Sequence, residues 1–478
     1  MNVQLKLMSA ALTAMLIAGC ASLDGLTTHS TQNDPAELAA GQSLAGTKTA
    51  ADAWPRSDWW KRFNDPQLDQ LMEEALAGSP TLRVAQSRAR RALAIAQATE
   101  SLLYPRVDGN ASITRQRFPE HGLVPPPYAG SWQTQSQLEA TLSFDLDIWG
   151  KNHAAYAAAL GLAKEAEVDA YAARLALSVN IAQAYVELQR AYLQLDVAQK
   201  ALAEREQIYK LTQERFDAGI DSRLAVKQAE SALPATRERI AQLNEAIGLT
   251  RNLIAALLGQ GPDRGLAIVR PAPTALADAT IPPVLPAELL GRRPDIVAQR
   301  WRVEALSKGI DVAKAQFYPN VSLIAFAGVQ SIGLSRLFEA GSRTLGVGPA
   351  VTLPIFDAGR LRGNLAAVQS DYDAAVERYN EALVNGLRDV ADQLTSFRSL
   401  DEQVAQQAHA QATAQEAFDL ALLRFREGIG NYLDVLVAEQ QLLAQQSLDA
   451  DLRARRLALS INLARALGGG FGNTTTVQ

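Results

Sequence analysis

The residues that could carry chemistry in this 478-residue chain form three small groups. The first is the single cysteine, Cys20, which closes a stretch with a basic start at Lys6, an apolar run over 7–18 and two small residues at its end. Such a stretch is typical of a secretory signal and is too short for a comfortable membrane span. One cysteine can form no intrachain disulfide, so its thiol is a candidate for covalent modification.

A cysteine directly after two small residues resembles a bacterial lipobox, in which the thiol is lipidated and becomes the mature N-terminus. Ile17 stands where that motif prefers leucine. The motif implies a diacylglycerol on the sulfur of Cys20 and an N-acyl chain, such as palmitate, on its amine. Because Ala21 is not an aspartate, it also implies transfer to the outer membrane. The alternative is a plain signal peptide, 1–19, followed by a chance cysteine.

The second group is acidic: Glu139, Asp145 and Asp147 share the odd positions of the stretch 132–149. The even positions are mostly apolar, and such alternation predicts a β-strand with one apolar and one polar face. An ordinary strand has about 5–6 residues, whereas a transmembrane strand has about 9–11, apolar towards lipid and polar towards the lumen. We therefore expect these carboxylates to face a lumen, where they either favour cations or only keep the interior wet.

Other chemistry has little support in the residue pattern. The Asp145-x-Asp147 spacing also occurs in metal sites, but no nucleotide-binding pattern surrounds it, and the four histidines are far apart. The chain has no Gly-x-Ser-x-Gly, no Walker loop and no histidine pair, so we predict no catalytic residue, no metal site and no enzymatic activity. A net charge of −5 argues against nucleic acid as a partner.

The third group is a pair of matching motifs, RFDAGIDSRL at 215–224 and RFREGIGNYL at 424–433. Each begins with Arg-Phe and has a glycine at its fifth position, Gly219 or Gly428. A glycine in this place is typical of a helix that ends in a left-handed cap. Both motifs are therefore predicted to be turns between two helices.

The elements that position these groups form an internal repeat and so occur twice in the chain. Segment 80–105 pairs with 294–319: both begin with proline and close on Tyr-Pro, so each is a helix that leads into an extended segment. Each repeat continues with two strands, a proline-free helix of about 67 residues, or roughly 100 Å, and a return helix. Pro234 in the first return helix predicts a local kink or break.

The predicted bounds follow this plan. The lipidated N-terminus and linker occupy 20–53, and the C-terminal tail occupies 468–478. The first repeat, 54–258, has strands near 106–118 and 132–149, a long helix near 152–218 and a return helix near 222–258. A proline-rich linker, 259–286, precedes the second repeat, 287–467, which has strands near 320–330 and 344–356, a long helix near 361–427 and a return helix near 431–467.

Four strands are too few to cross a membrane alone. A bilayer-spanning sheet must close because an open edge leaves backbone groups unsatisfied, and barrels start at about eight strands. If these strands span a membrane, two, three or four chains therefore share one barrel. The alternative from the strands alone is a soluble sandwich, which could not bury the apolar stripes of such long helices.

Several features occur in a fixed order: the duplicated plan, the Tyr-Pro junctions, FDLDIWGK (144–151) against LPIFDAGR (353–360), the paired turns and the ending ALGGGF. Together they resemble a TolC-like outer-membrane efflux protein of the NodT/OprM lipoprotein branch. The resemblance implies a mainly helical trimer. Its 12-stranded β-barrel, four strands per chain, would continue into a 12-helix periplasmic α-barrel, with the linkers in an equatorial belt.

As a function, the resemblance implies a passive exit duct in the outer membrane. A periplasmic adaptor (membrane fusion protein) would join it to an inner-membrane transporter of the resistance-nodulation-division type. The paired turns at the periplasmic end would dock the adaptor and open the duct. The residues that match this role are Arg215, Phe216, Asp217, Gly219, Asp221, Leu224, Arg424, Phe425, Gly428, Leu433, Asp434 and Val437.

The resemblance leaves the gate itself open to two interpretations. Polar pairs would hold the duct closed, drawn from Asp217, Asp221, Arg223, Arg426, Glu427 and Asp434. Alternatively, Arg-Phe and glycine only cap and staple two helices. Some relatives carry Asp and Arg where Val437 and Gln440 stand here, which implies a more apolar constriction or a substitute role for Asp434.

Two other functions fit parts of the pattern. A structural or adaptor-like coiled-coil lipoprotein in the periplasm would explain the long helices but not the alternation in 132–149. A self-standing diffusion porin would explain the strands but leave the helices without a use. An exit duct need not select its cargo, so antibiotics, aromatic acids, metals and solvents all remain open as substrates.

Overall fold

The structure is a computed structural model that describes residues 25–44, 54–272 and 291–472. The chain is mainly helical with one sheet, and it divides into two compact units. Unit 1 contains residues up to 32 together with 88–166 and 299–379, and unit 2 contains the rest. The predicted signal peptide, Cys20 and residues 273–286 of the central linker lie outside the described residues.

The helices and strands follow the duplicated order predicted from the sequence. The first half has α1 (Pro66–Gly78), α2 (Pro80–Glu100), β1 (Arg106–Arg117), β2 (Trp132–Asp145), α3 (Lys151–Asp217) and α4 (Arg223–Leu257). The second half has α5 (Pro294–Ala315), β3 (Asn320–Ile332), β4 (Arg343–Thr352), α6 (Arg360–Arg426) and α7 (Tyr432–Ala466). Short helical segments lie at Pro35–Glu37, Gly41–Leu44, Trp59–Phe63, Ser101–Leu103, Asp263–Leu266, Leu334–Arg336 and Ala340–Ser342. Among the described residues, every helix lacks the sustained apolar stretch that a membrane-crossing helix requires.

The sheet of unit 1 has the order β1-β2-β3-β4, and all neighbouring strands are antiparallel. The register places Leu142 between Val107 and Ala325. On this side lie Val107, Gly109, Ala111, Ile113, Leu138, Ala140, Leu142, Phe144, Val321, Leu323, Ala325, Ala327, Val329, Leu345, Val347, Pro349 and Val351. An apolar face therefore crosses strands from both repeats, because paired residues point to the same side of a sheet. Next to Ile113 this face continues into Ser136 and Ser331.

The opposite face of the sheet differs between the two repeats. On β1 and β2 it is polar, and Glu139 lies between Asn110 and Gly328 of the neighbouring strands. On β3 and β4 it is uncharged and mostly small or apolar, apart from Asn320 and Gln330, and it includes Phe326, whose ring covers Gly346. A Cβ atom at Gly346 would lie only 2.4 Å from the Phe326 ring. The softer alternation of the second strand pair thus reflects an aromatic ring packed where the first pair has amides and acids.

Strand β2 ends at Asp145, earlier than the predicted Trp149. Asp147 adopts a left-handed backbone conformation with φ of 46° and turns the chain into α3. Its carboxylate accepts hydrogen bonds from the N–H groups of Asn152 at 2.8 Å and His153 at 2.9 Å. The first N–H groups of a helix have no partner within it, and this carboxylate supplies one.

Strand β4 also ends early, at Thr352 rather than near Phe356. Asp357 then caps α6: its carboxylate accepts from the N–H groups of Gly359 at 3.0 Å and Leu361 at 2.9 Å. Both repeats therefore change from strand to helix through a segment that contains an aspartate cap, and in both the strand ends before the alternating pattern does.

The main core of unit 2 joins α1 to three longer helices. Leu71 and Met72 of α1 are fully buried, and so are Ile181 and Leu188 of α3 and Ile461 of α7. Full burial of each such side chain contributes about 1.5–3 kcal/mol. This cluster fixes α3 and α7, which lead to and from the paired turns.

Helix α4 runs from Arg223 to Leu257 through Pro234 without a break. Of the two alternatives predicted at this position, a kink or a break, the break is therefore wrong. The proline removes one helical N–H donor, but its neighbours Ala232 and Leu233 are buried. Tertiary packing of this kind maintains a helix across a residue of poor helical propensity.

Candidate functional site: the paired helical turns

The first turn joins α3 to α4 within unit 2. Gly219 follows the end of α3 in the left-handed region, with φ of 78°. Its N–H group donates to the carbonyl of Phe216 at 2.9 Å, and the N–H group of Ile220 donates to the carbonyl of Arg215 at 2.8 Å. This pair of bonds is that of a Schellman helix end, which glycine favours because it has no Cβ atom.

The second turn joins α6 to α7 and has the same backbone. Gly428 has φ of 81°. Its N–H group donates to the carbonyl of Phe425 at 3.2 Å, and the N–H group of Ile429 donates to the carbonyl of Arg424 at 3.0 Å. The two matching sequence motifs therefore fold into matching turns.

Each return helix starts from a polar N-cap. The hydroxyl of Ser222 accepts from the N–H group of Ala225 at 3.2 Å at the start of α4. The side-chain oxygen of Asn431 accepts from the N–H group of Asp434 at 3.0 Å at the start of α7. Such caps satisfy donors that the first turn of a helix leaves unpaired, so both turns have a defined entry and exit.

Arg215 of the first turn holds the second turn. Its Nε atom donates to Asp221 Oδ2 at 2.7 Å, and its Nη1 atom donates to the carbonyl oxygen of Phe425 at 2.8 Å. Its Cζ atom lies 4.5 Å from the centroid of the Phe425 ring. Arg215 is only 8% exposed, and low exposure strengthens charged hydrogen bonds and cation–π contacts. We call this set of contacts the Arg215 bridge.

Phe425 is the apolar counterpart of Arg215. Its side chain is 0% exposed, and its ring centroid lies 6.3 Å from that of Tyr432 in an edge-on arrangement. Around it pack Ile208 of α3, Ala225 of α4 and Val435 of α7. The second turn thus sends its phenylalanine into an apolar cluster built by four helices.

The other apolar residues predicted for docking lie on the outside of the turns. They are Phe216, Leu224, Leu433 and Val437. Sequence reasoning missed Ile220 and Ile429, which are still more exposed than Val437 and occupy the same position in the two motifs, directly after the glycine. That repeated isoleucine was the available signal. Exposed apolar side chains in a cluster mark an interaction surface.

The polar pairs expected among six charged residues are not made within one chain. Asp221 forms an ion pair, but its partner is Arg215. Asp217 accepts from Gln213 Nε2 at 3.0 Å. Four side chains form no ion pair with any residue that the structure describes: Arg223, Arg426, Glu427 and Asp434. Within the chain, the charged contact between the turns is therefore the Arg215 bridge.

A second buried ion pair, missed from the sequence, lies on the same helices. Arg205 of α3 donates from Nε to Glu439 Oε1 of α7 at 2.9 Å and from Nη1 to Thr236 Oγ1 of α4 at 2.7 Å. Glu439 is 2% exposed. Burial raises the pKa of Glu439 above its ordinary value, and the charge of Arg205 opposes that rise. One feature of the sequence could have indicated that Glu439 is buried. It lies on the same helical stripe as Val435 and Leu442, which is the buried face of α7.

The three carboxylates predicted to face the lumen belong to unit 1 and are not equivalent. Glu139 and Asp145 lie on the polar face of β2. Glu139 accepts from Thr141 at 3.2 Å, and Asp145 lies 3.9 Å from Lys151 Nζ. Asp147 is not on the strand, because it caps α3, so its assignment to the polar face was wrong. Within the described residues, no group of three histidine, cysteine or acidic side chains is placed to hold a metal ion.

Comparisons with known proteins agree with this arrangement. Residues 71–260 and 285–469 match the family described as outer membrane efflux protein. The fusaric acid resistance protein FusA of Burkholderia cepacia is 40% identical over 75% of this chain and 68% of its own length. The multidrug resistance outer membrane protein MdtP of Shigella flexneri is 32% identical over 97% of this chain and 96% of its own. The crystal structure of the outer membrane protein VceC of Vibrio cholerae is 37% identical, with a TM-score of 0.83 over 87% of this chain and 100% of that one.

These likenesses confirm three expectations from the sequence: efflux as the function, the outer membrane as the location, and a mainly helical fold with four β-strands per chain. They contradict the alternative of a wholly periplasmic coiled-coil protein. The family is one of transport channels rather than of enzymes. On this evidence the chain belongs to the outer membrane efflux protein family.

Proposed function

We propose that this chain is the exit duct of a tripartite efflux pump and works as a homotrimer. The observation that carries the proposal is the sheet: in the described part of the chain, β1 and β4 each pair along one edge only. An open edge in lipid would leave N–H and C=O groups unsatisfied, so the apolar face needs further copies to close it. Three copies supply twelve strands, within the range of known barrels. Glu139 and Asp145 then face the lumen.

The paired turns are the proposed docking site and gate. A periplasmic adaptor would bind the exposed apolar residues of the turns, since a cluster of such side chains gains from burial against a partner. Opening would separate the two turns and break the Arg215 bridge, because that bridge spans them. An inner-membrane transporter of the resistance-nodulation-division type would feed the duct, which needs no cofactor of its own.

A lipid on Cys20 is the proposed anchor of each chain in the outer membrane. It rests on the small residues before the cysteine and on Ala21 after it. Two acyl signals give stable membrane attachment, whereas one gives a marginal one. The mass of the mature N-terminal peptide tests this part separately: diacylglycerol and N-acyl chains on Cys20 are expected, and an unmodified cysteine would contradict it.

Adjacent residues on β2 provide a matched test of the membrane-spanning barrel. We expect Leu142→Lys to reduce the yield of trimer, because the charge would face lipid at a cost of up to about 2–4 kcal/mol. Thr141→Lys, one residue away on the polar face, should assemble normally. The measurement is trimer yield in detergent extracts by native mass spectrometry. Normal assembly of both variants, or equal loss in both, would contradict the orientation of the sheet, and a monomeric wild type would contradict the duct.

A further inference from the structure

The two repeats of the sequence are also equivalent in the structure of unit 1. Arg106 pairs with Ser143 in the first repeat, and Asn320 pairs with Thr352 in the second. In each pair the first residue follows a Tyr-Pro junction, and the second directly precedes the FDLDIWGK or LPIFDAGR segment. Matching residues therefore have matching partners, and a contact at one place predicts a contact at the equivalent place.

Within one chain, the first repeat meets the second through strands and helices. Strand β2 pairs with β3, and α3 lies against α5. Arg302 Nη1 of α5 donates to Glu165 Oε1 of α3 at 3.0 Å. A Cβ atom added at Gly161 of α3 would lie only 2.9 Å from Ala305 Cβ of α5. We call this set of contacts the repeat join.

The two outer edges of unit 1 carry the equivalents of the repeat join. In the sequence repeat, β4 corresponds to β2 and β1 to β3, while α6 corresponds to α3 and α2 to α5. Among the residues that the structure describes, β1 and β4 each have one neighbouring strand. Both sides of a second join are therefore present in each chain, at opposite edges of its sheet.

We propose that neighbouring copies of the chain form the repeat join again between them. β4 and α6 of one copy meet β1 and α2 of the next, in the register that β2 and α3 have with β3 and α5. This arrangement rests on the homotrimer proposed above, and it specifies which residues of the copies meet. A head-to-tail contact of this kind forms a ring when its rotation closes.

The strand register extends the apolar face from one copy to the next. Leu142 lies opposite Ala325 in the repeat join, and the equivalent residues are Val351 and Ala111. Both belong to the apolar face of their strands. A shift of one residue would set the apolar face of one copy beside the opposite face of the other. The register given by the repeat therefore agrees with the side-chain pattern.

The helix contact brings opposite charges together. Arg88 of α2 takes the place of Arg302 and faces α6 of the next copy at Ala374, where α3 has Glu165. Asp371 lies one turn from Ala374 on the same face of α6 and supplies an acid at this level. Arg88 and Asp371 are both exposed, and neither forms an ion pair within the described part of the chain. Complementary charges of this kind favour the correct partner and register.

Cysteine cross-linking tests the helix contact. Arg91 and Ser370 are the equivalents of Ala305 and Gly161. Because Ser370 has a Cβ atom where α3 has glycine, the copies should lie slightly further apart there, within the Cβ separation of about 3.5–4.5 Å that a disulfide needs. Arg91→Cys with Ser370→Cys in one chain, oxidised in membranes, should yield covalent trimer on a non-reducing gel.

Arg91→Cys with Gly363→Cys is the matched control. Gly363 is exposed two turns along the same face of α6, about 10 Å from Ser370, and no atom lies within 4 Å of an added Cβ atom. This variant should give no covalent trimer. Because both variants retain Cys20, the control also measures any linkage through that residue.

Val351→Cys with Ala111→Cys tests the strand register separately, in case a helix variant fails to assemble. It should also cross-link, because the two residues lie opposite each other in the proposed register. Val351→Cys with Val107→Cys, about 13 Å out of register along β1, should not.

Native mass spectrometry separates this arrangement from the homotrimer itself. A monomeric wild type would contradict both together. If the wild type and the cysteine variants are trimeric but both matched pairs stay unlinked, or link no better than their controls, the arrangement is overturned and the homotrimer stands.

Discussion

The first and second helical turns share a motif and a backbone but use their first two residues in opposite ways. In the first turn Arg215 is buried and Phe216 is 36% exposed. In the second turn Arg424 is exposed and Phe425 is buried. A repeated motif therefore determined the shape of each turn, while packing against the other helices of unit 2 determined which side chain became structural.

Two positions at which the motifs differ in sequence account for which of the two side chains is buried in each turn. The seventh residue is Asp221 in the first turn, where it binds Arg215, and Gly430 in the second, where no arginine needs an acid. The ninth residue is Arg223 in the first turn and Tyr432 in the second, where its ring meets Phe425. The shared positions set the backbone, and the divergent ones set the roles.

The largest expected difference between the turns concerns their phenylalanines. Phe425→Ala should lower the free energy of local unfolding by about 3–5 kcal/mol, because it empties a fully buried site. Phe216→Ala should change it by about 0.5 kcal/mol or less, as for other surface substitutions. Hydrogen exchange of the amides in 205–235 and 415–445, followed by mass spectrometry, measures both. Similar exchange in the two variants would remove the asymmetry.

For the arginines, the larger effect on the free energy of local unfolding should come from the first turn and the smaller from the second. Arg215→Gln should cost about 2–3 kcal/mol, since it removes hydrogen bonds to the Asp221 carboxylate and the Phe425 carbonyl. Arg424→Gln should cost about 0.5 kcal/mol or less because its side chain is exposed. The Arg215 variant should speed amide exchange in both turns, since the bridge spans them. Faster exchange confined to the first turn would mean that the bridge does not hold the second.

The glycines should show where the turns are alike. Gly219→Ala and Gly428→Ala should each cost about 1 kcal/mol, because both positions have a positive φ that disfavours a Cβ atom. No atom lies within 4 Å of the added Cβ at Gly219, and the nearest at Gly428 is Arg215 Nη1 at 3.7 Å. Equal shifts in the same exchange experiment are expected. A much larger effect at Gly428 would show that the second turn is under extra steric constraint.

Local signals explain what could be predicted from the sequence. Helix α3 was expected to start at Asn152 and starts at Lys151, and α6 was expected to end near Glu427 and ends at Arg426. Proline, glycine and composition mark such ends over a few residues. Asp147 was misplaced because the alternating pattern continues by chance after β2 has ended, and a capping side chain leaves no periodic signal.

Long-range contacts explain what could not be predicted. Arg215 and Phe425 are 210 residues apart in the chain, and nothing near either residue indicates the partner. The same holds for Arg205 and Glu439, 234 residues apart. The motifs located the turns, but only the packing of four helices shows which charged residues join them.

Single-channel conductance in planar lipid bilayers tests whether the Arg215 bridge closes the duct, as proposed above. The trimer of Arg215→Gln should open more often, or to a higher conductance, than the wild type, because its two turns are no longer joined. Arg424→Gln carries the same chemical change at the matching position and should conduct as the wild type does without an adaptor. If Arg215→Gln conducts like the wild type while its turns exchange faster, the bridge stabilises the turns but does not gate the duct.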